Sequence, residues 1–173
     1  LLNNKNTADA VPEFFKQENI DVFVDQGVYT QSEAIARAKI QLENYVKTIR
    51  IEALTMLDMA KKQIYPAVSA YVGELCANLA AKKSVVADLP CAEEEALIKT
   101  LASCNENMMA AVRKLEADLS DIPEGEREAS QRMAHVVVPD MENIRGFADQ
   151  AEKLCSADYW PFPTYSDLLF SIK

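Results

Sequence analysis

The sequence predicts an all-α protein. Three observations carry that prediction: apolar residues recur at steps of three and four over long stretches, a capping box opens the first long stretch, and glycine is scarce. Only four glycines occur in 173 residues, against about 7% in an average protein, so few tight turns are available. The expected architecture is an elongated antiparallel helical bundle with long helices, which prolines either kink or split, and an aromatic C-terminal tail. Three stretches follow from it: a lead-in over 1–29, the bundle over 30–157 and a docking tail over 158–173.

The lead-in holds a short helical pattern around Val11, Phe14 and Phe15, then the turn Asp25-Gln26-Gly27. Thr30-Gln31-Ser32-Glu33 follows, a spacing in which the threonine oxygen and the glutamate carboxylate satisfy each other's free backbone donors. A long helix is therefore expected to start there. Leu42, Val46, Ile49, Ala53, Met56, Ala60 and Ile64 then recur at steps of 4, 3, 4, 3, 4 and 4, one stripe of a helix. Ile40, Ile51, Leu54 and Leu57 add apolar surface on other faces, which predicts neighbours on more than one side. Pro66 interrupts the pattern, but Val68, Tyr71, Val72, Leu75 and Leu79 resume it to about Lys83; a kink and a split both fit. A helix over 31–64 alone would be about 50 Å long, against roughly 40 Å for a compact globule of this size.

Ser84 to Pro90 reads as a loop. Glu93, Glu94 and Glu95 then crowd the first turn of a new helix, where negative charge complements the helix dipole. Its stripe is Leu97, Leu101, Cys104, Met108, Val112, Leu115 and Leu119, ending at the turn signal Pro123-Glu124-Gly125. The last long helix is expected to carry Met133, Val137, Met141, Ile144, Ala148, Ala151 and Cys155, with Pro139 kinking it. The tail gathers five of the thirteen aromatic residues. Its two prolines stiffen an extended stretch, after which Thr164 and Asp167 can cap a short turn presenting Leu168, Leu169 and Phe170. Trp160, Phe162, Tyr165, Leu168, Leu169 and Phe170 are thus the candidate interface, docking either on the bundle or on a partner.

The chemistry the residues exclude is as informative. At 18 Lys+Arg against 27 Asp+Glu the net charge is −9, which disfavours nucleic acid and anionic membrane surfaces as partners. No apolar run reaches the ~18 residues of a membrane span. The dispersed glycines form neither a dinucleotide nor a Walker loop. Cys76, Cys91, Cys104 and Cys155 lie 15, 13 and 51 positions apart, so buried free thiols in a cytoplasmic protein are expected rather than zinc or disulfides. The residue three before the single histidine, His135, is Arg132, so the paired Glu-x-x-His units of a di-metal bundle are missing. No catalytic, cofactor-binding or metal-binding residue is assigned, and His135 reads as a surface or packing residue. The chain opens at Leu1 without a methionine, from which a longer parent is expected.

Particular strings resemble a known family. Gly27-Val28-Tyr29-Thr30, Leu42-Glu43-Asn44-Tyr45, Ile51-Glu52-Ala53 and Met59-Ala60-Lys61-Lys62-Gln63-Ile64-Tyr65-Pro66-Ala67 look like the C-terminal region of type III glutamine synthetases. Val138-Pro139-Asp140-Met141 and the tail Trp160-Pro161-Phe162-Pro163-Thr164-Tyr165 with Leu168-Leu169-Phe170 are similar to that family's last helices. The resemblance implies a parent that joins ammonia to glutamate with ATP and Mg or Mn in a ring-stacked oligomer, its catalytic and nucleotide-binding residues lying upstream. For this piece it implies a non-catalytic role, packing on the catalytic domain or on neighbouring subunits of a homo-oligomer. The competing reading of the residues is a free-standing helical adaptor whose tail binds an unrelated partner.

Overall fold

The structure is a computed structural model and describes residues 5–163 and 165–170, with the side chains of Tyr165 and Ser166 left out. Of the described residues 82% are helical and none lies in a strand. The order is α1 (Thr7–Ala10), a 3-10 turn (Val11–Phe15), α2 (Gln17–Asp25), α3 (Gln31–Met59), a π-turn (Ala60–Ile64), α4 (Tyr65–Val85), α5 (Ala92–Ser120), α6 (Glu126–Arg132), a second π-turn (Met133–Val137), α7 (Val138–Glu152) and α8 (Tyr165–Phe170).

The capping box forms as the sequence predicts. The Thr30 N–H donates to Glu33 Oε2 at 2.9 Å, and the Glu33 N–H donates to Thr30 Oγ1 at 3.3 Å. These bonds from Thr30, the backbone N–H first, hold the Glu33 carboxyl below its usual range. Just before it, Gly27 takes φ 65°, a left-handed conformation open to glycine at little cost, and reverses the chain between α2 and α3.

Both prolines are carried inside continuous helix. A proline at position i has no N–H and drives its ring against the carbonyl of i−4. A wider turn precedes each one: the Tyr65 N–H donates to Ala60 O one residue before Pro66, and the Val138 N–H donates to Met133 O one residue before Pro139. The π geometry, with its i→i+5 bonds, absorbs the missing donor without ending the helix. The helical path is thus unbroken at both prolines, and neither splits its helix in two.

The chain divides into two compact units, Leu1–Thr55 with Leu115–Met141 and Met56–Lys114 with Glu142–Lys173. In the first, Val11, Ala38 and Leu42 form a buried cluster against which Phe15 packs. Gln131 Nε2 donates to Ala8 O at 2.7 Å, tying α6 to α1. Arg132 closes the α5–α6 turn, with Nη2 2.9 Å from Asp118 Oδ1 and 3.2 Å from Asp121 Oδ2. Leu115, Leu119, Met133 and Val137 are also buried in this unit.

In the second unit α4 and α5 are an antiparallel pair. Lys82 bonds to Glu94 and Lys83 to Glu95 near the connection, while Asn105 Nδ2 donates to Tyr65 O at 3.2 Å at the other end. The core is Leu57, Ala60, Ile64, Val68, Leu101, Met108, Val112, Ile144 and Ala148, while the later members of the expected α4 stripe, Tyr71, Val72, Leu75 and Leu79, are only half-buried. Leu97, Met141 and Cys155 are only half-buried, and Cys155 lies beyond the end of α7. The α4–α5 tip has little apolar burial, with Val85, Val86 and Leu89 exposed.

Two predictions follow from this packing. Leu101→Ala is expected to destabilise by about 2–5 kcal/mol and Val85→Ala by at most about 0.5 kcal/mol, checked by urea unfolding. The Lys82 and Lys83 hydrogen bonds lower the Glu94 and Glu95 carboxyl pKa values. Depressed folded values mean that the stabilisation is present above the ordinary carboxylate range and is lost as pH falls through those values. Carboxyl NMR titration is expected to place both midpoints below those of exposed glutamates, and Lys82→Met is expected to raise that of Glu94 alone, short of the usual range because the Cys91 hydrogen bond remains.

Candidate interaction site

The tail begins where α7 runs out. Ala151 O accepts from the Leu154 N–H at 3.1 Å and the Cys155 N–H at 2.8 Å, and Ser156 O then accepts from the Tyr159 and Trp160 N–H groups, both at 3.0 Å. The resulting turn aims Tyr159 at α4. Its ring lies 5.3 Å from that of Tyr71 at 41°, and its hydroxyl donates to Glu74 Oε2. The Glu74 hydrogen bond, then burial, raises the Tyr159 pKa, and burial raises that of the Cys155 thiol.

The candidate interface residues divide. Trp160 and Phe162 are half-buried and meet edge to face, centroids 6.1 Å apart at 75°. Trp160 Nε1 is enclosed and has no acceptor among the described residues. Leu168, Leu169 and Phe170 on α8 are 62%, 60% and 80% exposed. The Tyr165 side chain and Thr164, with its expected cap, lie outside the described residues. Tyr159, the residue that anchors the tail on α4, was not among the six candidates; its aromatic ring beside Trp160 was the available signal.

His135 Nε2 lies 3.2 Å from Asp9 Oδ1 on a half-exposed surface, and neither side chain is hydrogen-bonded to a hydroxyl or thiol among the described residues. All four cysteines are free. The expectation that they are buried needs correcting: Cys91 and Cys104 are, Cys155 is half-buried and Cys76 is exposed, because Cys76 falls off the α4 stripe. No group of three metal-ligating side chains exists among the described residues, and no described helix is long and apolar enough to cross a membrane.

Sequence reasoning missed a second feature, an open aromatic cleft of about 460 Å³ in the first unit, between the lead-in and α3. Phe14 and Phe23 stack at 5.8 Å, Tyr29 tilts against Phe23 at 5.7 Å, and the Arg37 guanidinium sits 4.7 Å over the Tyr29 ring. The four residues are scattered over 24 positions of sequence and show no motif.

Comparison with known proteins gives these surfaces a context. A sequence profile described as the glutamine synthetase C-terminal domain matches residues 1–83. A glutamine synthetase of Butyrivibrio fibrisolvens is 36% identical over 176 residues, which is 100% of this chain and 25% of that protein. One from Bacteroides fragilis is 24% identical over 99% of this chain and 24% of its own length, and a type-3 glutamine synthetase of Dictyostelium discoideum is 26% identical over 98% and 24%. The chain thus spans about a quarter of the length of the relatives it matches. Taken with the all-helical fold, these matches show that the chain belongs to the glutamine synthetase family and represents its C-terminal domain.

Proposed function

We propose that this domain is a non-catalytic helical module that packs on the catalytic domain of a glutamine synthetase and supports its assembly into a homo-oligomer. The observation that carries the reading is α8: three consecutive apolar side chains, Leu168, Leu169 and Phe170, lie more than half exposed on a short helix. Contiguous apolar exposure of that kind marks a surface that another chain or domain covers. In this reading the covering surface lies in the three quarters of the relatives' length that this chain does not span. The parent then makes glutamine from glutamate and ammonia, with ATP and Mg or Mn held upstream. We assign none of those groups to this chain, in which no three metal-ligating side chains converge among the described residues. We place the protein in the cytoplasm, a location that four unpaired thiols suit.

The isolated chain is expected to show neither synthetase nor γ-glutamyl transferase activity. Replacing Leu168, Leu169 and Phe170 together by Ser in the full-length parent is expected to shrink the oligomer and lower activity, read by light scattering and glutamine formation. Unchanged oligomer size and turnover in that variant would overturn the reading.

A further inference from the structure

The face of α3 opposite its buried stripe is bare. Ile40, Asn44, Lys47, Ile51 and Leu54 follow one another at steps of 4, 3, 4 and 3, and all are exposed, the three apolar ones by 54%, 66% and 52%. Leu42 and Ala53 on the other side are buried, so the fold does not use this seam. A seven-residue repeat is the spacing at which one helix stays in register with a second helix wound against it. Isolated exposed leucines are ordinary; a seam with this repeat is not.

The charges beside the seam say which helix fits. Glu43 and Arg50 flank the same edge, seven residues apart. Glu43 holds Lys47 on its own helix at 2.6 Å. Arg50 faces Val46, Lys47, Ala53 and Leu54 at its helical neighbour positions and makes no ion pair among the described residues. Laying a second copy of α3 antiparallel, with Ile40 opposite Ile51, brings the other Ile51–Ile40 pair together by symmetry. The same placement sets Asn44 against Lys47 and Glu43 beside Arg50, each twice. A parallel pairing would instead stack Lys47 on Lys47 and put Glu43 and Arg50 beside Thr48 and Thr55, with no opposite charges met. Buried polar positions of this kind select one register and orientation at a cost in affinity.

We infer that this face of α3 is a self-association surface on which a second copy of the chain docks antiparallel about a two-fold axis passing between residues 45 and 46. The inference rests on the assembly reading and names one contact within it. Sedimentation equilibrium of the chain tests it. The unsubstituted chain is expected to form a reversible dimer, and Glu43→Arg or Arg50→Glu alone to weaken that dimer at least about tenfold, because each sets like charges against each other at both flanks. An equimolar mixture of the two variants restores opposite charges at both flanks and is expected to dimerise like the unsubstituted chain, a result peculiar to the antiparallel register. Ile51→Asp is expected to abolish the dimer without changing the far-UV circular dichroism. A chain that stays monomeric to about 1 mM, a dimer indifferent to both charge variants, or a mixture no better than its components would overturn the contact. Those outcomes leave the assembly reading standing if the α8 variant of the parent still loses its oligomer; a chain dimer that obeys the charge rules beside an indifferent parent overturns the assembly reading alone.

Discussion

A proline within a helix takes away one backbone donor and pushes its ring toward the carbonyl four residues back, and the fold is arranged around meeting that demand twice. The π-turns Ala60–Ile64 and Met133–Val137 widen the helix just ahead of Pro66 and Pro139, so the helical path runs on into α4 and α7. Had the first stopped at Pro66, the buried series Leu57, Ala60, Ile64 and Val68 would be cut before its last member. Asn105 sits at the same junction, a buried amide reaching from α5 to Tyr65 O. Its Nδ2 has an acceptor there, while its buried Oδ1 meets no donor among the described residues.

What could be read from the sequence is what depends on neighbours along the chain. The capping box at Thr30 and Glu33 and the stripes of α3 and α5 are local patterns, and the structure reproduces them down to the two reciprocal hydrogen bonds. The π-turns escaped because a proline in an unbroken stripe is compatible with several backbones. The contacts of His135 with Asp9 and of Gln131 with Ala8 escaped because the partners lie 126 and 123 positions apart. Glu93, Glu94 and Glu95 were legible as charge at a helix start; that two of them also grip Lys82 and Lys83 follows only once α4 and α5 are known to be neighbours. Ile40, Ile51 and Leu54 reverse the expectation that several faces of α3 meet neighbours in this chain, since sequence marks a position as apolar but not what covers it.

The tail shows the same limit at the candidate site. Its composition announced a docking segment, but the split between an inward half and an outward half depends on one hydroxyl, that of Tyr159, finding Glu74. From there Trp160 and Phe162 are drawn half under cover, while α8 stays in solvent. The His135–Asp9 pair, by contrast, stands at an open surface, 126 positions apart in sequence and in contact only through the fold.

The wide turn at Ala60–Ile64 also constrains how the sequence can change length. A single π-turn holds about one residue more than a regular α turn, so removing one residue from it while replacing Pro66 would restore α geometry and leave the later side chains on the faces they now hold. Val68, now fully buried, would keep the face it packs on, and Tyr71 and Glu74 would stay turned toward Tyr159. A residue removed from the regular helix of α3 or α4 would instead swing everything beyond it by about 100°, so this short stretch is where the helix can lose a residue without changing face.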